Sequence, residues 1–167
     1  MPPPENQTGV IVCNAGPLIA MAGIRMLPLL QKLYSRVLLA EAVYHELTDS
    51  ERFAGEAGLF NLPWLEKMSV GASLDPLLSA ELGPGEAATI TLAVQTGAER
   101  ILIDERKGRR FAELVYHLKV TGTGGILLAA KRAGLVREIR PTMMQMRANG
   151  YFLSSRLIEG ICASAGE

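Results

Sequence analysis

Cysteine is nearly absent from this sequence: Cys13 and Cys162 are its only two. Two thiols so far apart build neither a disulfide framework nor a zinc site. Cys13 lies in an apolar run, where a small buried side chain is expected, and a reducing cytoplasm is the natural compartment. Neither sign of charge is in excess. Lys plus Arg and Asp plus Glu number 17 each, so no overall field draws the chain to nucleic acid or membrane, and any charged site must be local. No apolar run reaches the roughly 18 residues that span a bilayer, so a soluble chain with no membrane partner is expected. The opening Met1-Pro2-Pro3-Pro4-Glu5-Asn6 lacks the basic start and apolar centre of a signal peptide. Residues 1–8 are expected as a disordered, extended tail, and residues 9–167 as one domain with helices at its end. Internal repeats are absent too. His45 and His117 stand alone and form no triad. Gly122-Thr123-Gly124-Gly125 lacks the lysine of a P-loop and the full Rossmann fingerprint, which argues against a nucleotide loop there.

What is present is apolar substance. Hydrophobic residues make up 49% of the 167 and charged residues 20%, the composition of a packed globule long enough for one core. Val10-Ile11-Val12-Cys13 is a short, continuous, β-branched run of the kind that forms a strand buried on both faces. Val37–Leu39, Ile101–Ile103 and Val120–Thr121 read as three more strands. Between them lie helical patterns. One helix or helix pair runs to Tyr34, interrupted at Gly23 and Pro28, and others span Ala40 to Leu47, Pro84 to Gln95, Arg106 to Leu118 and Ile126 to Arg132. The Pro84 helix is apolar nearly all round and so is expected inside. Residues 48–82 carry mixed signals, with Trp64-Leu65 and Met68-Ser69-Val70 as apolar anchors and Asp75-Pro76 opening a helix. Strands alternating with helices predict an α/β fold, a three-layer sandwich about a central, mostly parallel sheet.

In such sheets ligands collect at the carboxyl ends of the strands. Asn14 follows the first strand and Asp104 the third, while Glu86 opens the apolar helix and Glu46 lies late in the short one. Each has a structural alternative: Asp104 as a helix N-cap, Glu86 as a first-turn acid facing the helix dipole, Glu46 on a solvated face, Asn14 satisfying its turn. If the four converge, a hard cation such as Mg²⁺ or Mn²⁺ is what clustered oxygens suit. Arg106, Arg109 and Arg110 fall on one helix face with Lys107 nearby, either to hold RNA phosphates or as a solvated surface.

Four ordered blocks carry a resemblance. Val12–Ala20, Glu41–Leu47, Gly83–Ala88 and Leu102–Arg110, together with Thr121–Lys131 and Arg140-Pro141, resemble a prokaryotic branch of the PIN superfamily, related to the VapC-type toxin ribonucleases. The resemblance covers nearly everything from Gly9 onward. It implies a Rossmann-like sandwich whose acidic site is Asn14, Glu46, Glu86 and Asp104, with Asp104 and Glu86 as principal ligands of Mg²⁺ or Mn²⁺, Glu46 and Asn14 completing the set, and Glu105 and Thr123 in an outer shell. The superfamily at large has Asp where this chain has Asn14, so metal affinity should be lower. The implied activity is metal-dependent endoribonuclease cleavage of RNA, with a weakly catalytic RNA- or partner-binding module as the alternative. The partners implied are RNA, a second copy in a homodimer, and an antitoxin-like protein. An apolar stripe of Leu153, Leu157, Ile158, Ile161 and Cys162, preceded by Met143, Met144 and Met146, either packs on its own domain or covers that dimer's interface.

Overall fold

The chain was analysed as a computed structural model that describes residues 9–56, 58–71 and 74–167; the expected tail over 1–8 lies outside them. Its sheet is built from β1 (Val10–Cys13), β2 (Arg36–Ala40), β3 (Leu65–Met68), β4 (Arg100–Leu102) and β5 (Val120–Thr121). Their order is β3-β2-β1-β4-β5 and every pairing is parallel. The central strands explain their own composition. β1 and β2 are buried along almost their whole length because helices cover both faces, which is why they read as unbroken apolar runs.

The helices are α1 (Ala15–Gly23), α2 (Pro28–Leu33), α3 (Glu41–Thr48), α4 (Pro76–Glu81), α5 (Pro84–Thr96), α6 (Arg106–Leu114), α7 (Thr123–Arg132), α8 (Ile139–Ala148) and α9 (Ser155–Ser164). α5 lies against β1, β2 and β4 with α3, α4 and α6 around it, while α2 and α7 pack together and α7, α8 and α9 form one cluster. The Pro84 helix is inside, as its all-round apolarity requires: Ala87, Ala88, Ile90, Leu92 and Ala93 are buried.

Three expectations need correction. A fifth strand, β3, runs where only apolar anchors were expected. It is an edge strand of which only Leu65 is fully buried, and its Glu66 pairs with Arg36 of β2 at 2.6 Å, so charge hides the apolar signal. The turn at Gly122–Gly125 is shorter than expected, because α7 begins at Thr123 and takes Gly124 and Gly125 into its first turn. A Cβ at Gly124 would stand 2.7 Å from Ile161 Cδ1 of α9, and one at Gly125 2.7 Å from Thr121 Cγ2. These glycines serve close packing. Finally, α6 ends at Leu114, before Leu118.

The C-terminal stripe resolves towards its own domain. Leu153, Ile158 and Cys162 are buried in the core, Ile161 packs against it, and Met143 and Met146 are buried with them. Leu157 and Met144 remain outside, each 44% exposed.

Candidate active site

Strand order decides where a site can form. From β1 the chain steps one way to β2 and β3, then returns to β1's other side for β4 and steps away to β5. The reversal falls between β1 and β4, and the helices that follow these strands diverge there, leaving a crevice at their carboxyl ends. Asn14 and Asp104 stand at that crevice. The strands are held together up to it, with the Asn14 N–H donating to the Leu102 carbonyl at 2.9 Å.

Asp104 caps a helix, but not the one that follows it in sequence. The first N–H of α7, from Thr123, donates to Asp104 Oδ1 at 2.7 Å, and the Thr123 hydroxyl donates to Oδ2 at 2.7 Å. Tyr151, in the segment between α8 and α9, donates its hydroxyl to the same Oδ2. Burial and the negative charge of Asp104 push the Tyr151 hydroxyl far above its ordinary pKa, so it stays a donor. The amides at the start of α7, of the kind that invites an anion, therefore already face one of the protein's own. Space for this contact depends on Gly122, where a Cβ would lie 2.8 Å from Asp104 Oδ1 and 2.6 Å from Arg109 Nη1.

The other acids gather on the α3–α5 side. Glu46 projects from α3 across the start of α5, where a Cβ at Gly85 would stand 2.4 Å from Glu46 Oε2. Glu86 accepts from the Gly83 N–H at 3.3 Å, the first-turn role foreseen for it. Partial burial raises the pKa of both carboxyls, and the charges of Glu105 and Glu86 raise Glu46 further, while Glu105 raises Glu86. Asn14 joins the groups. It is 3% exposed, its Nδ2 donates to Glu105 Oε2 at 3.1 Å, and its Oδ1 accepts from the buried Thr89 hydroxyl of α5 at 3.2 Å. Glu105 and Asp104 approach each other over α1, for a Cβ at Gly16 would lie 3.3 Å from an oxygen of each.

A family model described as PIN domain matches residues 10–167. The chain belongs to the PIN-domain family. No curated protein matches it in sequence. In this PIN domain Asn14, Glu46, Glu86 and Asp104 all reach the crevice, but unequally. Asp104 faces Thr123 and Tyr151, whereas Glu46 and Glu86 face Glu105, expected only as an outer group. Arg106 and Arg109 line a cavity beside Asp104; Arg106 also lines, with Lys107 and Arg110, a second hollow on α6, and Lys107 pairs with Glu81 at 2.9 Å. Thr89 and Tyr151 were missed. A threonine within the buried stretch of α5 was the signal for Thr89, shared with Thr91; Tyr151, in an irregular connection, offered none.

The donor set suits a hard cation. Among the described residues no salt bridge neutralises Glu46, Glu86, Asp104 or Glu105, and their mutual repulsion is what such an ion relieves. No group of three or more His, Cys, Asp or Glu among the described residues is arranged to hold a metal ion as it stands.

Proposed function

We propose that this PIN domain is a divalent-metal-dependent endoribonuclease acting in the cytoplasm. The observation that carries the proposal is the crevice at the sheet's switch point, where among the described residues no salt bridge neutralises Glu46, Glu86 or Glu105, and partial burial with neighbouring carboxylate charge raises the Glu46 and Glu86 carboxyls above their ordinary range. A divalent cation, Mg²⁺ or Mn²⁺, supplies Lewis acidity there and makes water acidic enough to attack a phosphodiester near neutral pH. Asp104, fixed by Thr123 and Tyr151, and Glu86, fixed at the start of α5, would be the principal ligands. Glu46 completes the set directly or through water. Asn14, whose amide is engaged at both ends, orients Glu105 and adds no charge. Arg106 and Arg109 hold phosphates, a role weaker for the outward Lys107 and Arg110. The test is cleavage of single-stranded RNA by the purified protein with Mn²⁺ or Mg²⁺. Chelator should abolish it, as should Asp104→Ala with Glu86→Ala; activity surviving in that double variant belongs elsewhere.

One observation favours a second reading, a weakly catalytic RNA- or partner-binding module: three hydrogen bonds already occupy the Asp104 carboxylate, and Asn14 contributes only a dipole. Absence of cleavage across several RNAs and both metals would favour it. Family likeness also supports a homodimer and an antitoxin-like partner. With most of the C-terminal stripe buried, a dimer falls to the apolar surface left outside, such as Leu114 and Val115 at the end of α6, 66% and 46% exposed.

A further inference from the structure

Phe152 is 89% exposed, the most of any large apolar side chain among the described residues. It is held there. The short connection between α8 and α9 has its neighbours anchored inward: Tyr151 donates its hydroxyl to Asp104, and Leu153 is buried in the core. In extended chain successive side chains point to opposite sides, so the residue between two inward anchors must face out. Ser154, the next residue, fixes the far end by accepting the Leu157 N–H at 3.1 Å as the cap of α9.

Phe152 stands on the rim of a cavity of about 630 Å³ whose wall also includes Asp104, Arg106, Arg109, Tyr151 and Leu157. That volume is within the range of ligand sites, roughly 300–1,000 Å³. Its chemistry is divided. Its lining combines apolar and aromatic side chains with two arginines of α6, three residues apart and so on one helix face. Among the described residues neither arginine has an ion-pair partner. Asp104 lines the same cavity. A π-face and a pair of guanidinium groups lining one cavity are complementary to a strand that offers both bases and phosphates. An apolar protein partner would leave the arginines unmatched.

We propose that Phe152 is a stacking platform for one base of single-stranded RNA, placing the adjoining phosphate between Arg106, Arg109 and the carboxylates. The proposal rests on the nuclease reading for the identity of its ligand, and makes Phe152 a positioning residue. Stacking is tolerant of base identity, so the platform selects unpaired strand over duplex.

The test is fluorescence anisotropy with the full chain and a fluorescein-labelled 12-nucleotide single-stranded RNA, in EDTA so that binding is read without cleavage. Phe152→Ala and Phe152→Leu should each weaken binding roughly 10- to 100-fold, Phe152→Trp should restore it, and a duplex of the same sequence should be insensitive to all three. Arg106→Ala should flatten the dependence of log Kd on log salt by about one unit, while Phe152→Ala leaves that slope unchanged. Equal binding by wild type and Phe152→Ala, or full rescue by Leu, overturns the platform. So does a loss of binding in Phe152→Ala accompanied by a change of oligomeric state in light scattering, which would make Phe152 a contact between copies. Failure of the nuclease reading looks different: Phe152-dependent RNA binding would persist while no metal supports cleavage.

Discussion

Asn14 shows how one atom's identity can set the balance of a site. Its Nδ2 donates to Glu105 and its Oδ1 accepts from Thr89, so Asn14→Asp would replace a donor with an acceptor facing a carboxylate. Without metal the variant should be less stable by about 1–3 kcal/mol, the cost of an unpaired buried charge-bearing group. With Mn²⁺ it should gain more thermal stability than wild type. A melting series with and without Mn²⁺ checks both signs, and equal metal-induced shifts would place residue 14 outside the ion's reach. The raised carboxyls make a second residue-scale prediction. Glu46 and Glu86 bind protons more readily in the fold than in the unfolded chain, so the folded state holds more protons above the ordinary value of 4.5. Stability of the metal-free protein should therefore rise as pH falls from neutrality towards that value. Glu46→Gln should raise the neutral-pH melting temperature and flatten the slope, as should added Mg²⁺. A melting temperature independent of pH over this range would show that the acids do not feel one another.

At the scale of elements, glycines set the distances between helices and acids. Gly85 lets Glu46 lie across the start of α5, and the obstacle to a methyl group there is the far end of a flexible side chain. Gly85→Ala should leave the fold intact yet displace the Glu46 carboxylate, lowering metal affinity or cleavage on the order of 10- to 100-fold. Circular dichroism and an activity assay separate the two effects. Gly124 meets a branched core side chain instead, with Ile161 Cδ1 and Cγ1 at 2.7 and 2.8 Å from its would-be Cβ. Gly124→Ala should cost about 1–3 kcal/mol, and adding Ile161→Val should recover part of it. Additive losses in chemical denaturation would mean that α7 and α9 are not in contact there.

At the scale of the molecule, the helices past β5 are part of the core. Ile158 is 2% exposed, and Ile158→Ala should cost about 2–5 kcal/mol at every protein concentration. Leu114→Glu should leave that stability unchanged and turn a dimer into a monomer in light scattering. A wild type that is monomeric at tens of micromolar would remove the dimer from the proposal. Glu167 ties this region together: it pairs with Lys131 of α7 at 2.6 Å and accepts from the Ile139 and Arg140 N–H groups at the start of α8. These partners hold its carboxyl down at about 2. The stability it lends is full above 4.5 and lost as pH falls towards 2, the opposite sign to Glu46, and Glu167→Gln should lack this acid-range loss in thermal melts.

The sequence by itself determined what depends on neighbours along the chain. Continuous β-branched runs could only be strands covered on both faces, an all-round apolar α5 could only lie inside, and alternating elements implied parallel crossovers. The positions of Asn14, Glu46, Glu86 and Asp104 were legible through the four blocks that resemble the family, and without that likeness each kept a structural alternative. β3 was not legible, because an edge strand with Glu66 and Lys67 carries no apolar run. The partners of each acid were decided only by tertiary structure. Asp104 meets Thr123, 19 residues away, and Tyr151, 47 residues away, while Asn14 meets Thr89 and Glu105 across 75 and 91 residues. Spacing cannot announce such contacts, because they form only when β1 and β4 lie side by side and the helices close over their ends.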